Sequence, residues 1–102
     1  MIREKHFTHI ENGTRIDVRF RTERGRVIDF SINVSVIEGD RRRDVYRVDT
    51  AHGHLHEQRF WRSPKPESIE SQYPDYNVAF NEKRKEVMEN LERWVKLFKE
   101  KK

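Results

Sequence analysis

The strongest constraint on this chain is a period of two that runs through its first sixty residues. Ile28, Phe30, Ile32, Val34 and Val36 alternate with Asp29, Ser31, Asn33 and Ser35. In an extended backbone successive side chains point to opposite faces, so this segment has one apolar and one polar face. Ile16, Val18 and Phe20 alternate in the same way with Arg15, Asp17, Arg19 and Arg21. That is the pattern of a half-buried antiparallel strand. An opening strand is expected over Lys5 to Glu11, closed by Asn12-Gly13, a strong hairpin signal. Gly25 marks a second turn and Glu38-Gly39-Asp40 a third, leading through Arg41-Arg42-Arg43 into a strand over Val45 to Thr50. His54 to Arg62 reads as a fifth strand. Connections this short favour a meander over any crossover.

Ser63-Pro64-Lys65-Pro66 interrupts the alternation, because proline lacks the amide that a ladder needs. Beyond Pro74 the period changes. Phe80, Val87, Leu91, Trp94, Val95 and Phe98 recur at threes and fours with Met88 beside them, which is one apolar stripe of a long helix. Asp75 or Asn77 suits the N-cap, and Lys96, Lys99, Lys101 and Lys102 suit the negative end of the helix dipole. The predicted architecture is one α+β domain over residues 1–102. It comprises an antiparallel sheet of about five strands (1–62), a connecting loop with a short helical turn (63–76) and a C-terminal helix (77–101) across one sheet face.

Only 33% of the 102 residues are hydrophobic and 39% are charged, so the scarce apolar side chains must fall in strict register to build a core. The formal net charge is +4. The chain has no cysteine, which excludes disulfides, thiolate metal sites and cysteine nucleophiles. No apolar run is long enough to cross a membrane and no signal-peptide core follows Met1, so the expected setting is cytoplasmic, with no membrane partner. Nothing in the sequence calls for a cofactor. There is no glycine-rich phosphate loop, no serine elbow and no HExxH helix. His6-Phe7-Thr8 matches one tripeptide of two-histidine phosphoesterases, but the second tripeptide is missing.

Three of the five histidines lie within Asp49-Thr50-Ala51-His52-Gly53-His54-Leu55-His56. If this stretch is extended, His52, His54 and His56 share a face, and Gly53 is the point at which a turn would detach His52. Three readings compete. In the first, His54 and His56 are the acid and base of a metal-independent endoribonuclease, because imidazole titrates near neutrality. Asp49 or Glu57 would orient a ring, with Asp49 preferred, while Arg47, Arg59 and Arg62 would clamp the phosphate. In the second, His54 and His56 chelate a zinc-like ion, with His52 or Asp49 completing the site. In the third the face is simply solvated, with cross-strand pairs such as Arg47–Glu57 as mild stabilisers. Arg41-Arg42-Arg43 offers phosphate contacts in a turn, but Asp40 and Asp44 flank it and favour an ordinary solvated loop.

The run Tyr46 to His56, followed by a long Trp-bearing helix, resembles small uncharacterised prokaryotic proteins, and among named relatives it is similar to the TumE-type toxin-like family. Asp49, Gly53, His54 and His56 are the matching positions, whereas the Gly-Lys-Gly-Asp run that usually precedes the histidine pair there is absent here. The resemblance implies a meander sheet, RNA-directed toxin-like activity and a small helix-turn-helix antitoxin as partner. The competing expectation is a non-catalytic module that docks a protein or forms a homodimer through a free sheet edge.

Overall fold

A computed structural model describes residues 1–101. Six strands, β1 (Ile2–Glu11), β2 (Thr14–Glu23), β3 (Arg26–Glu38), β4 (Arg41–Asp49), β5 (His56–Arg59) and β6 (Glu67–Ser68), precede one helix, α1 (Tyr76–Glu100). The strands form a single sheet in chain order, each antiparallel to the next. The fold is therefore α+β, an open meander with a C-terminal helix laid across β3 and β4. The two-residue β6 lies in the stretch expected to be a connecting loop, and extends the meander past the prolines. The expected fifth strand is shorter than its pattern: it runs from His56 to Arg59, the Phe60 amide makes one last bond to the Val45 carbonyl at 3.1 Å, and a turn follows with the Arg62 and Ser63 amides on the Arg59 carbonyl. Among the described residues no helix is long and apolar enough to cross a membrane.

The alternation sets the core. Phe30, Ile32, Val34 and Val36 of β3, Val45, Tyr46 and Val48 of β4, and Leu55 turn inward against Phe80, Val87, Trp94 and Phe98 of α1. Burying an aliphatic or aromatic side chain of this kind contributes about 1.5–3 kcal/mol. Trp94 lies over Tyr46 with ring centroids 4.4 Å apart, and Phe80 meets Phe20 at 4.7 Å and Phe30 at 5.2 Å. Two bulges modify the period. Ile28 is the extra residue of β3 opposite Arg21 and Thr22, which brings Val27 into the core. Val45 is the extra residue of β4 opposite Val34 and Ser35, so the consecutive residues Val45 and Tyr46 are both buried. Such two-for-one pairing is how a strict alternation acquires adjacent inward residues.

The helix start is fixed twice. The Val78 amide donates to the Asp75 carboxylate at 2.8 Å, and the Val27 amide of β3 donates to the Asn77 side-chain oxygen at 3.0 Å. Asp75 is thus the N-cap, and Asn77 ties the helix to the sheet. Met88, expected beside the apolar stripe, instead points to solvent, while Lys83 occupies a stripe position and is buried.

Candidate functional site

Strand β5 sorts its residues between two faces. Leu55, just before it, faces the core, and parity then sends Glu57 and Arg59 to the helix side while His54, His56 and Gln58 face outward. On β4 the same parity sends Tyr46 and Val48 inward and Arg47 and Asp49 outward. Asp49 lies opposite His56 across the ladder, and Arg47 opposite Gln58.

The outer corner contains most of the residues expected to act together. The His54 and His56 rings stand 6.0 Å apart, centroid to centroid, in an edge-on arrangement. Arg47, Asp49, His52, His56 and Gln58 line a shallow depression, and a second depression shares Arg47, Asp49 and His52 and adds Arg19, Arg21 and Ser31. The loop that carries the histidines is braced from beneath. Buried Thr50 accepts the Phe30 amide on its hydroxyl at 3.0 Å and donates its own amide to the Phe30 carbonyl at 3.0 Å. The Tyr76 hydroxyl donates to the Gly53 carbonyl at 3.0 Å and lies 3.0 Å from Glu70, whose carboxylate in turn accepts the Leu55 amide at 2.5 Å. Burial and the Glu70 carboxylate together raise the Tyr76 hydroxyl above the ordinary phenol range, so it remains a donor.

Several expected roles are corrected. Arg59 and Arg62 do not join Arg47. Arg59 turns beneath the sheet, donates to Glu57 at 2.6 Å and stands 5.6 Å from the centre of the Trp94 ring. Arg62 is exposed in the turn after β5, beside Trp61 and the end of α1. The expected Arg47–Glu57 pair is replaced by Arg47–Asp49, because Arg47 and Glu57 lie on opposite faces. Asp49 spends its oxygens on the Arg47 Nε at 2.7 Å and the Ala51 amide at 3.0 Å. It therefore shapes the backbone as an Asx turn and does not orient an imidazole. His52 adopts a left-handed backbone, φ 61°, followed by Gly53 at 75°. That turn separates it from the extended His54–His56 pair. Among the described residues no three His, Cys, Asp or Glu side chains gather as a metal-ligand set, so His52, His54 and His56 do not form the alternative metal site.

Arg19 and Arg21 were legible as outward residues, but only the sheet order brings them to the same face as Arg47. Every one of these arginines already has a carboxylate. Arg19 donates to Glu4 at 2.8 Å, Arg21 to Asp29 at 2.7 Å and Arg15 to Asp17 at 2.9 Å. Burial opposes the Asp17 charge, yet hydrogen bonds from Arg15 and Thr8 outweigh it and hold the carboxyl below the usual range. The outer face is a charge-compensated lattice.

Beneath the same strand lies a polar cluster that sequence reasoning missed. Lys83 and Glu57, 4% and 5% exposed, meet at 2.6 Å, Tyr46 donates to the same Glu57 oxygen at 2.5 Å, and Glu86 accepts from Lys83 at 3.0 Å. Burial disfavours the Glu57 charge, but the Lys83 and Tyr46 hydrogen bonds and the Lys83 and Arg59 charges outweigh it and hold its carboxyl below the ordinary range. Lys83 is raised: burial works against its charge, and Glu57 and Glu86 override that. Tyr46 is pushed far above the ordinary phenol range by burial and by the Glu57 charge. Each charge is matched, as a buried ion pair requires. The parity of Leu55, Glu57 and Arg59 and the stripe spacing of Phe80, Lys83 and Val87 were the available signals.

A sequence comparison settles the family, because one domain family matches residues 1–102, the whole chain. The chain belongs to DUF7718, a domain of unknown function. Comparison with curated proteins and with solved structures finds no match.

Proposed function

We infer that the outer corner of the sheet acts on RNA, with His54 and His56 as a general acid–base pair. The observation that carries this reading is the pair of imidazoles 6.0 Å apart on a loop anchored through Thr50, Tyr76 and Glu70. A catalytic pair needs a fixed separation on a supported backbone, and a merely solvated strand end does not. One imidazole takes the proton of a ribose 2′-hydroxyl, whose oxygen attacks phosphorus. The other donates a proton to the departing 5′-oxygen as the P–O bond breaks, leaving a cyclic phosphate and a free hydroxyl. The reaction requires neither a metal nor a covalent nucleophile. Arg47 is the cation beside the phosphate, with Arg19 and Arg21 extending the track in place of Arg59 and Arg62. The resemblance to TumE-type toxin-like proteins supports the same reading, with a small antitoxin protein as partner.

The test is incubation of the pure folded protein with mixed RNA, with and without EDTA, beside a His54→Ala/His56→Ala variant. Cleavage is expected to be indifferent to EDTA and lost in the variant. Intact RNA with the folded wild type would sink the reading, as would cleavage that the double variant retains.

A second reading, a non-catalytic interaction module, is favoured by one observation: the outer arginines are already neutralised by Glu4, Asp17, Asp29 and Asp49. It expects no RNA turnover and a folded domain that captures a protein partner through this face.

A further inference from the structure

The two edges of the sheet are unlike. The β6 edge is two residues long and follows Pro64 and Pro66, a blunt edge that offers little to a further strand. The β1 edge is ten residues long, contains no proline, pairs with β2 without a bulge, and is exposed along its whole length. Phe7 and Ile10 are each 56% exposed there, although Phe7 already stacks on Phe20 with centroids 6.1 Å apart.

The hairpin fixes which backbone groups of β1 are free. Its loop is Asn12-Gly13, with φ of 51° and 77°, a type I′ turn, and Glu11 faces Thr14. In such a two-residue hairpin the flanking pair exchanges both hydrogen bonds. Arg3, Lys5, Phe7, His9 and Glu11 therefore direct their amides to β2, and Ile2, Glu4, His6, Thr8 and Ile10 direct theirs outward. An antiparallel copy of this edge must set outward residues opposite outward residues, so paired residue numbers must sum to an even value.

We propose that β1 pairs with β1 of a second copy, about a two-fold axis at Phe7, to make one continuous twelve-stranded sheet. The two sheets contribute six strands each. In this register the two Phe7 rings face each other across a non-hydrogen-bonded pair, where side chains approach most closely. Arg3 stands opposite Glu11 of the second copy, twice by symmetry, and His6 opposite Thr8 carries the central amide exchange. Sliding the register by one step places Arg3 opposite His9 and Lys5 opposite Phe7, which separates the phenylalanines and loses the Arg3–Glu11 pair. Sliding it the other way sets Lys5 opposite Glu11, but sacrifices two paired positions and separates the phenylalanines. The aromatic pair selects this register over both slides, and Arg3 opposite Glu11 makes it complementary in charge as well. The interface is at the opposite edge from His54 and His56 and stands independently of their chemistry.

The chain lacks cysteine, so single introduced thiols report position without background. Light scattering behind size-exclusion chromatography, over a concentration series of the full chain, is expected to show a dimer. Phe7→Cys is expected to oxidise to a covalent dimer, because Cα atoms about 4.5 Å apart lie within disulfide reach. Lys5→Cys and His9→Cys each cross-link about tenfold more slowly alone, and the mixture of the two gives the heterodimeric bridge. Arg3→Glu weakens association about tenfold, and Arg3→Glu/Glu11→Arg restores it to within about threefold. A monomer throughout the series overturns the dimer. Fastest cross-linking through Lys5→Cys or His9→Cys, or no rescue by the charge swap, overturns the register.

Discussion

Two faces of one four-residue strand carry opposite kinds of polarity. On the helix side of β5, Glu57 is buried, touched by Lys83, Tyr46 and Arg59, and has no freedom to change partner. On the outer side His56 is half-exposed and lies beside His54, itself exposed, at the rim of a depression. The same strand therefore holds one set of charges that stabilises the fold only while complete, and another that is cheap to alter and open to a ligand. Polarity inside a protein is costly unless matched; polarity at a supported rim is available for chemistry.

Breaking the inner cluster gives the largest expected effect. Glu57→Ala leaves buried Lys83 with only the more exposed Glu86 as counter-charge and the Tyr46 hydroxyl without an acceptor, and is expected to cost about 3 kcal/mol in urea unfolding. A Glu57→Leu/Lys83→Met double variant should recover part of that loss, because removing both charges removes their desolvation penalty while the buried Tyr46 hydroxyl is left without its acceptor. Recovery that fails would show that the pair is needed for more than mutual neutralisation.

The pH dependence has a definite sign. Glu57 is depressed in the folded protein, so its contribution is present above the unfolded carboxylate pKa and is lost as pH falls through the folded value. Lys83 is raised, so its contribution holds below the unfolded lysine pKa and disappears as pH rises through the folded value. Stability followed by thermal unfolding should form a plateau across neutral pH with an acid shoulder. Glu57→Gln should flatten that shoulder, and an unchanged acid limb would assign it to other carboxylates such as Asp17.

The loop brace comes next. Tyr76→Phe removes the hydroxyl bond to Gly53 and is expected to cost about 1 kcal/mol in global stability. If the braced loop matters to RNA chemistry, its turnover falls more steeply than its stability. The smallest stability effect is expected at the histidines: His54→Ala/His56→Ala should shift unfolding by no more than about 0.5 kcal/mol. A much larger loss would make the outer corner structural and erase the contrast between the two faces.

Much of the site could be read from parity alone. Leu55 is an inward residue, and counting by two from it places His54, His56 and Gln58 outward and Glu57 and Arg59 inward. Arg59 was expected beside Arg47 because both are arginines on neighbouring strands, and charged residues on a short strand resemble surface. What makes that inward place tolerable for a guanidinium is the Glu57–Lys83 charge network and the Tyr46 and Trp94 rings beside it. Lys83, Trp94 and Tyr46 come from α1 and β4, dozens of residues away or on another strand, and no local pattern announces them. Asp49 shows the same limit: its position was legible, but its oxygens go to Arg47 and Ala51.

The sequence by itself determined the meander, the long C-terminal helix and the division of most side chains between two faces, because backbone periodicity and turn residues act locally. Tertiary structure decided the bulges that bury Val45 and admit Val27, the depth of Lys83, the separation of Arg47 from Arg59, and the detachment of His52 from its neighbours. Each of these depends on which distant group completes a hydrogen bond or fills a space, and that energy exists only once sheet and helix are packed together.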